Sequence, residues 1–358
     1  MNLRILLGSY LKIGLAWSIN EKEWWLGASG GAVTALLRYL LESGFVDAVL
    51  VPRIRVVRGY VYDVVKKPSE LINYSGSIYA PTVLGDAIRR VLDEGLGVAV
   101  VATPCRIRAL RRASESSPRF RECFKVLLGL YCNNVPATYA LRYAVRALTD
   151  IDPDSVVDAR FRGFGWPGVT RIRTRDGKTI SIPFQRFWDS GFGQYFYEEH
   201  CFLCADQTAE YSDISFADPW TYQRGIGIGK TLVVVRTETG LRVFDEARRL
   251  GYIGFEELPS PLYAIQYTTA LKKTIRVTKR RGVSVSGYIL PPSLTSIAYE
   301  IDYRLGGLLS RREKLWPLLA LYARIKHYLY KPFYTLDYLA KTSWVRILEM
   351  IRSAWMDK

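Results

Sequence analysis

The sequence predicts an α/β protein: an N-terminal α/β domain with a largely parallel sheet, a mixed α+β domain, and a helical C-terminal extension. Three observations carry this reading. Residues 97–103 and 124–130 are continuous apolar runs of the kind found in strands covered on both faces. They alternate with segments of helical period, the pattern of strand–helix–strand units around a parallel sheet. Beyond residue 150 the runs shorten and turn signals replace the helices, and from Arg311 onward the chain reads as helical, basic and aromatic. These changes of texture divide the chain into 1–150, 151–290 and 291–358, in keeping with the usual size of domains.

Each element has its own signal. Gly27-Ala28-Ser29-Gly30-Gly31 leads into a helix from Ala32 to Leu41, stopped by Gly44, with Ser29 expected as its N-cap. Strands are expected at residues 46–51 and 59–65, and a helix near 84–93. After the strand at 97–103 comes Thr103-Pro104-Cys105, with a helix opening at Arg106. There the helix N-terminus and the Arg106 charge favour a thiolate. The strand 124–130 ends on Tyr131-Cys132. In the second segment, strands at 156–161, 169–175 and 179–183 follow, the last two joined by the hairpin dipeptide Asp176-Gly177. Further strands are expected at 214–217, 231–236 and near Ile253, with a helix at about 240–250.

The composition is that of a globular protein, with 49% hydrophobic and 23% charged residues. No apolar run is long enough to span a bilayer, and Lys12 interrupts any signal-peptide core, so a mature cytoplasmic protein is expected. The net charge of +16 suits a nucleic acid, a membrane surface or a polyanionic ligand. The bland reading is a basic surface, because the charges are spread along the chain. One concentration stands out: Lys272, Lys273, Arg276, Lys279, Arg280 and Arg281 lie together with no acid among them. The basic, aromatic C-terminal helices could touch a membrane surface peripherally or, more simply, cap the domain.

Five cysteines, an odd number, argue against a disulfide framework. Cys201-Phe202-Leu203-Cys204 can converge on one metal, but alone it fits zinc, iron–sulfur, a redox disulfide or simple burial. Cys105 and Cys132, each at a strand end, raise the case for a four-thiol site, and an iron–sulfur centre is the preferred reading. Cys123 is read as a buried structural thiol. A small-residue loop at a helix N-terminus, as at Ser29–Gly31, also suits a phosphate.

Ser29-Gly30-Gly31-Ala32-Val33-Thr34, Pro104-Cys105-Arg106, Gly129-Leu130-Tyr131-Cys132, Cys201-x-x-Cys204-x-Asp206 and Ser212-Asp213-Ile214-Ser215-Phe216-Ala217-Asp218-Pro219-Trp220 together resemble the coenzyme F420 hydrogenase/dehydrogenase beta-subunit family over residues 25 to 285. The resemblance implies an iron–sulfur flavoprotein oxidoreductase that passes electrons between a [4Fe–4S] cluster, FAD and coenzyme F420 by hydride transfer. It implies Cys105, Cys132, Cys201 and Cys204 as cluster ligands. Ser29, Gly30, Gly31 and Thr34 would line the flavin site, with Tyr79, Thr103, Asp218 and Trp220 nearby. No catalytic side chain beyond the flavin is expected, since His200 and His327 are the only histidines. Lys272, Lys273, Arg276 and Arg280 would attract the anionic tail of the deazaflavin.

Two departures stand out: Ile78 replaces a lysine common among relatives, and Ala217 replaces a glycine. The expected partners are the deazaflavin or another small redox substrate, and an electron-transfer protein or subunit; nucleic acid is not expected. Two alternatives stay open. One is a relative that reduces another organic substrate or serves as a ferredoxin-linked subunit of a larger redox complex. The other, of a different class, is a zinc-stapled basic module that binds nucleic acid.

Overall fold

The computed structural model describes residues 6–55, 59–202, 204–223, 227, 229–266, 269, 305–306 and 308–325. Eleven strands are formed among them, in two sheets. The larger sheet holds β1 (Lys12–Ser18), β2 (Ala48–Arg55), β3 (Gly59–Val65), β4 (Val98–Ala102), β5 (Phe124–Leu130), β9 (Ile214–Ala217), β10 (Thr231–Val235) and β11 (Ile253–Glu257). Their order is β11-β1-β10-β9-β5-β4-β2-β3. The central four, β2, β4, β5 and β9, run parallel. Both flanks are antiparallel: β3 on one side, and β10, β1 and β11 on the other.

Parallel strands need both faces covered, and the period-2 alternation of side chains supplies two apolar faces. Val49, Val51, Ala99, Val101, Val126, Leu128, Ile214, Phe216, Val233 and Val235 point to one side. There they pack against the helices Ala32–Glu42 and Glu238–Arg249. Their neighbours Ala48, Leu50, Val98, Val100, Ala102 and Leu127 point to the other, under the helices Gly85–Glu94 and Pro104–Ser116. Cys123 is buried in that second layer, and burial pushes its thiol pKa up, as expected of a structural thiol.

The smaller sheet, β6 (Val156–Arg160), β7 (Val169–Thr174) and β8 (Thr179–Pro183), is an antiparallel meander. Its β7–β8 turn is the expected one: Gly177 takes φ +86° and donates to the Thr174 carbonyl. It shares a core with the helix Ala140–Leu148 and with Phe187, Phe192, Phe196, Trp316 and Leu319. The sequence division at residue 150 therefore does not separate two sheets. β9, β10 and β11 return to the large sheet, and β6–β8 form an excursion between β5 and β9. Of the expected helical extension, 305–306 and 308–325 are described, and these include helical turns packed on the smaller sheet's core. No described helix is long and apolar enough to cross a membrane.

Candidate functional site at the carboxyl edge of the sheet

Strand register decides which of the expected residues meet. Ala102 of β4 pairs with Gly129 of β5, and Leu130 of β5 pairs with Phe216 of β9. Counting along the chain, Cys105, Cys132 and Asp218 each come three residues after the paired row Ala102, Gly129 and Ser215, just past the carboxyl ends of three adjacent parallel strands. β1 runs parallel to β9, because β10 is antiparallel to both, so its carboxyl end lies on the same edge. There the Ser18 N–H donates to the Gly30 carbonyl at 2.7 Å, and the Thr231 hydroxyl donates to the Ser29 carbonyl. The row from Ser29–Gly31 to Cys105 crosses four strand spacings, about 19 Å. Crevices beyond the carboxyl ends of strands are where open α/β sheets bind ligands.

The Ser29–Gly31 loop is set by its packing. Gly31, not Ser29, is the N-cap of the helix Ala32–Glu42; it sits at φ +71° and brings no side-chain cap. A Cβ there would lie 2.5 Å from the Glu23 carbonyl, which is why glycine is required. Glu23 is buried, accepts from Ser18 Oγ at 2.6 Å and pairs with Arg38 at 2.6 Å, tying the preceding helix Glu21–Leu26 to this one. On the other side Gly30 abuts Gly229, whose carbonyl accepts from Trp24 Nε1 at 3.0 Å. Thr34 and Ser75 exchange a buried hydroxyl contact of 3.2 Å just inside the helix.

Next along the edge stands Arg162, in the loop between β6 and β7. Its guanidinium is fully buried, pairs with Asp218 through Nη1 and donates from Nε to the Pro167 carbonyl at 2.9 Å. The rings of Phe184, Trp166 and Trp220 surround it at 4.5, 4.8 and 5.2 Å. Burial opposes the charge, but Asp218 and Tyr79 outweigh it and raise the Arg162 pKa; burial likewise pushes up the Tyr79 hydroxyl. Asp218 also accepts from Trp220 Nε1 at 3.1 Å. Tyr79, Asp218 and Trp220 thus form one cluster around Arg162. Its loop joins the helix ends already described: Phe164 and Gly165 N–H donate to Trp25 O, and Gly76 has room only for a hydrogen beside Arg162 O.

The thiols fall in two places. Cys105 is exposed at the second residue of its helix, 3.5 Å from Thr103 Oγ1. Arg106 does not attend it, being committed to Thr82 and to the Tyr62 ring. Cys132 sits in a loop clasped to the Cys201–Gln207 segment. Its N–H donates to Gln207 O at 2.9 Å, and Val135 N–H donates to Cys201 Sγ at 3.4 Å. Cys204 Sγ donates to Asp206 O at 3.3 Å. No disulfide joins these residues. Among the described residues no three His, Cys, Asp or Glu side chains stand close enough to hold one metal ion. A four-iron cluster asks something different, since each thiolate binds its own iron and the sulfurs stand farther apart than around one ion. Four thiols on adjacent loops and strand ends have the donor chemistry such a cluster needs.

The leftover polar groups are informative too. Among the described residues Arg162 Nη2 and Trp166 Nε1 are buried without a partner, and the Gly31 helix end has no side-chain cap. All are donors, which suits a ligand rich in phosphate and carbonyl oxygens. Asp213, in the same sequence motif as Asp218, lies at the other end of β9. It is structural there, receiving Leu127 N–H at 2.7 Å, Thr237 Oγ1 at 2.8 Å and Arg111 at 2.9 Å. Lys272, Lys273, Arg276 and Arg280 lie outside the described residues.

A parallel-centred sheet with a thiol-bearing, donor-lined carboxyl edge defines a candidate cofactor-binding α/β chain. The amino-terminal and carboxyl-terminal profiles of the coenzyme F420 hydrogenase/dehydrogenase beta subunit match residues 15–89 and 96–261 respectively. The chain belongs to the coenzyme F420 hydrogenase/dehydrogenase beta-subunit family. It is 29% identical over 234 residues to the F420-dependent formate dehydrogenase 1 subunit beta of Methanococcus maripaludis, a match covering 63% of this chain and 57% of that one. It is 27% identical over 282 residues to the coenzyme F420 hydrogenase subunit beta of Methanothermobacter thermautotrophicus, covering 75% and 93%. The match to the formate dehydrogenase protein thus spans little more than half of that relative's length. In the solved F420-reducing [NiFe] hydrogenase complex from Methanosarcina barkeri, one chain has the same fold. Its TM-score is 0.60 at 20% identity, covering 80% of this chain and 98% of that one.

Proposed function

We propose that this chain is an iron–sulfur flavoprotein oxidoreductase that exchanges a hydride with coenzyme F420 and trades single electrons with a partner subunit. The observation that carries the reading is the placement of Cys105, Cys132 and Asp218 just past the carboxyl ends of three adjacent parallel strands, on the edge that also holds Ser29–Gly31. FAD and a [4Fe–4S] cluster, bound there, would join two-electron to one-electron chemistry. The chain's own residues supply the rest. The uncapped helix end at Gly31, with Thr34 behind it, offers N–H and hydroxyl groups to a phosphate. Arg162 fixes Asp218 and the Trp166–Trp220 pair, whose centroids are 4.5 Å apart, as a rigid aromatic wall. Cys105, Cys132, Cys201 and Cys204 hold the iron. The Lys272–Arg281 run draws in the polyanionic tail of the deazaflavin, an effect on encounter rather than on chemistry.

Relatives named as beta subunits of formate dehydrogenase and hydrogenase support a partner subunit. The zinc-stapled nucleic-acid module loses support to the family match over residues 15–89 and 96–261, and it gives no role to the uncapped helix end at Gly31. The test is anaerobic purification, an absorption spectrum, and assay of iron, sulfide and flavin. Stopped-flow mixing of the reduced protein with coenzyme F420 follows. A colourless protein with stoichiometric zinc would sink the redox reading. Prompt reduction of another organic acceptor, with no reaction of coenzyme F420, would keep the cofactors and overturn the substrate.

A further inference from the structure

Asn134 lies two residues beyond Cys132, in the loop that closes over Cys201. Its side chain is 8% exposed, and neither its amide nitrogen nor its amide oxygen has a hydrogen-bond partner among the described residues. A buried carboxamide normally satisfies both ends, and one left wholly unmet costs about 1–3 kcal/mol per group. The peptide group that follows it is engaged with sulfur at both ends. Cys132 Sγ donates to the Asn134 carbonyl at 3.6 Å, and the next N–H, that of Val135, donates to Cys201 Sγ at 3.4 Å. The residue is therefore held between two of the thiols, with an N–H₂ group available for an acceptor that the protein does not supply. Thiolate and sulfide sulfurs are such acceptors, and N–H···S hydrogen bonds favour the more negative, reduced form of an iron–sulfur centre.

We propose that Asn134 is a positioning residue that donates from Nδ2 to a sulfur of the cluster held by Cys132 and Cys201, and so raises its reduction potential. The inference rests on the cluster reading given above. Asn134→Leu keeps approximate volume and removes both polar ends; Asn134→Asp keeps the shape but replaces the donor with an anion. Both variants are compared with the wild-type chain by iron and sulfide content and by an EPR-monitored redox titration. The expected result is full cluster content with a lower midpoint in both, lower still for Asn134→Asp. At a fixed potential the reduced-to-oxidised ratio should fall about tenfold, equal to about 59 mV for one electron. Full cluster content with an unchanged midpoint overturns the proposal while leaving the cluster reading intact. A wild-type protein without iron and sulfide overturns both. If the variants lose the cluster altogether, pulsed EPR decides, on reduced protein labelled with ¹⁵N in its asparagine side chains and carrying Asn133→Ala to remove the signal of the adjacent asparagine. A nitrogen coupling supports the donor, and its absence refutes it.

Discussion

Asp218→Leu leaves the Arg162 guanidinium inside the protein without its anion. Arg162 is fully buried while its partner side chain is 20% exposed, so the two ends of the pair are unequal. Removing the acid strands a charge that cannot reach water, a change that typically costs about 3–5 kcal/mol. Three ring faces and the Pro167 carbonyl remain to soften the loss, which sets the expectation at the low end, about 3 kcal/mol. Arg162→Met removes the buried charge instead; Asp218 then keeps some water and the Trp220 Nε1 donor, so about 1–2 kcal/mol is expected. The double variant should be more stable than Asp218→Leu alone. Urea unfolding followed by tryptophan fluorescence is a fitting assay, because Trp166 and Trp220 flank the pair. With a slope of about 3 kcal/mol per molar, Asp218→Leu should lower the midpoint by about 1 M. Equal losses for both single variants, or additive losses in the double, would refute the reasoning.

Serine in place of Cys105, Cys132, Cys201 or Cys204 should lose or convert the cluster, whereas Cys123→Ser should keep its iron; iron and sulfide assays distinguish them. Gly31→Ala should lower stability by about 1–3 kcal/mol, because its φ of +71° and the nearby Glu23 carbonyl leave no place for a methyl group; thermal melts measure it. Burial pushes the Tyr60 hydroxyl up to about 12, so between pH 10 and 12 the unfolded chain releases a proton that the folded one keeps. Stability should therefore fall as pH rises through that window, and Tyr60→Phe should flatten the slope of the urea midpoint against pH. Glutamine at Lys272, Lys273, Arg276 and Arg280 should raise the KM for coenzyme F420 several-fold and weaken its salt dependence, with kcat little changed.

The strands were legible where burial on two faces writes a continuous apolar run, as in β5 and β9, or where a turn signal bounds them, as in β8. β3, β5, β8 and β9 begin and end where the sequence puts them. β1 was missed because it begins with Lys12 and its partners lie more than 200 residues away, so nothing local marks it as a strand. The glycines before Ala32 were read rightly as a turn, but the cap went to Ser29 because side-chain capping has a sequence signature and a left-handed backbone cap does not. Arg162 carried no signal either. An arginine in a loop reads as exposed, and only the convergence of Phe184, Trp166, Trp220 and Asp218 shows otherwise. The four thiols were visible one by one; that Cys105 and Cys132 follow register-matched ends of β4 and β5 depends on a pairing the sequence does not write.

The position of β1 bears on how the chain is made. It is hydrogen-bonded on one side to β10 and on the other to β11, so a nascent chain holds this segment unpaired until residues 231–257 have left the ribosome. β2, β3, β4 and β5 can join one another much earlier, whereas the loop carrying Cys132 waits for the Cys201–Gln207 segment that holds it. The Thr231 hydroxyl that anchors Ser29 arrives only when the late strands close over β1. A chain stalled before residue 231 presents an open sheet edge where β1 waits for its partners.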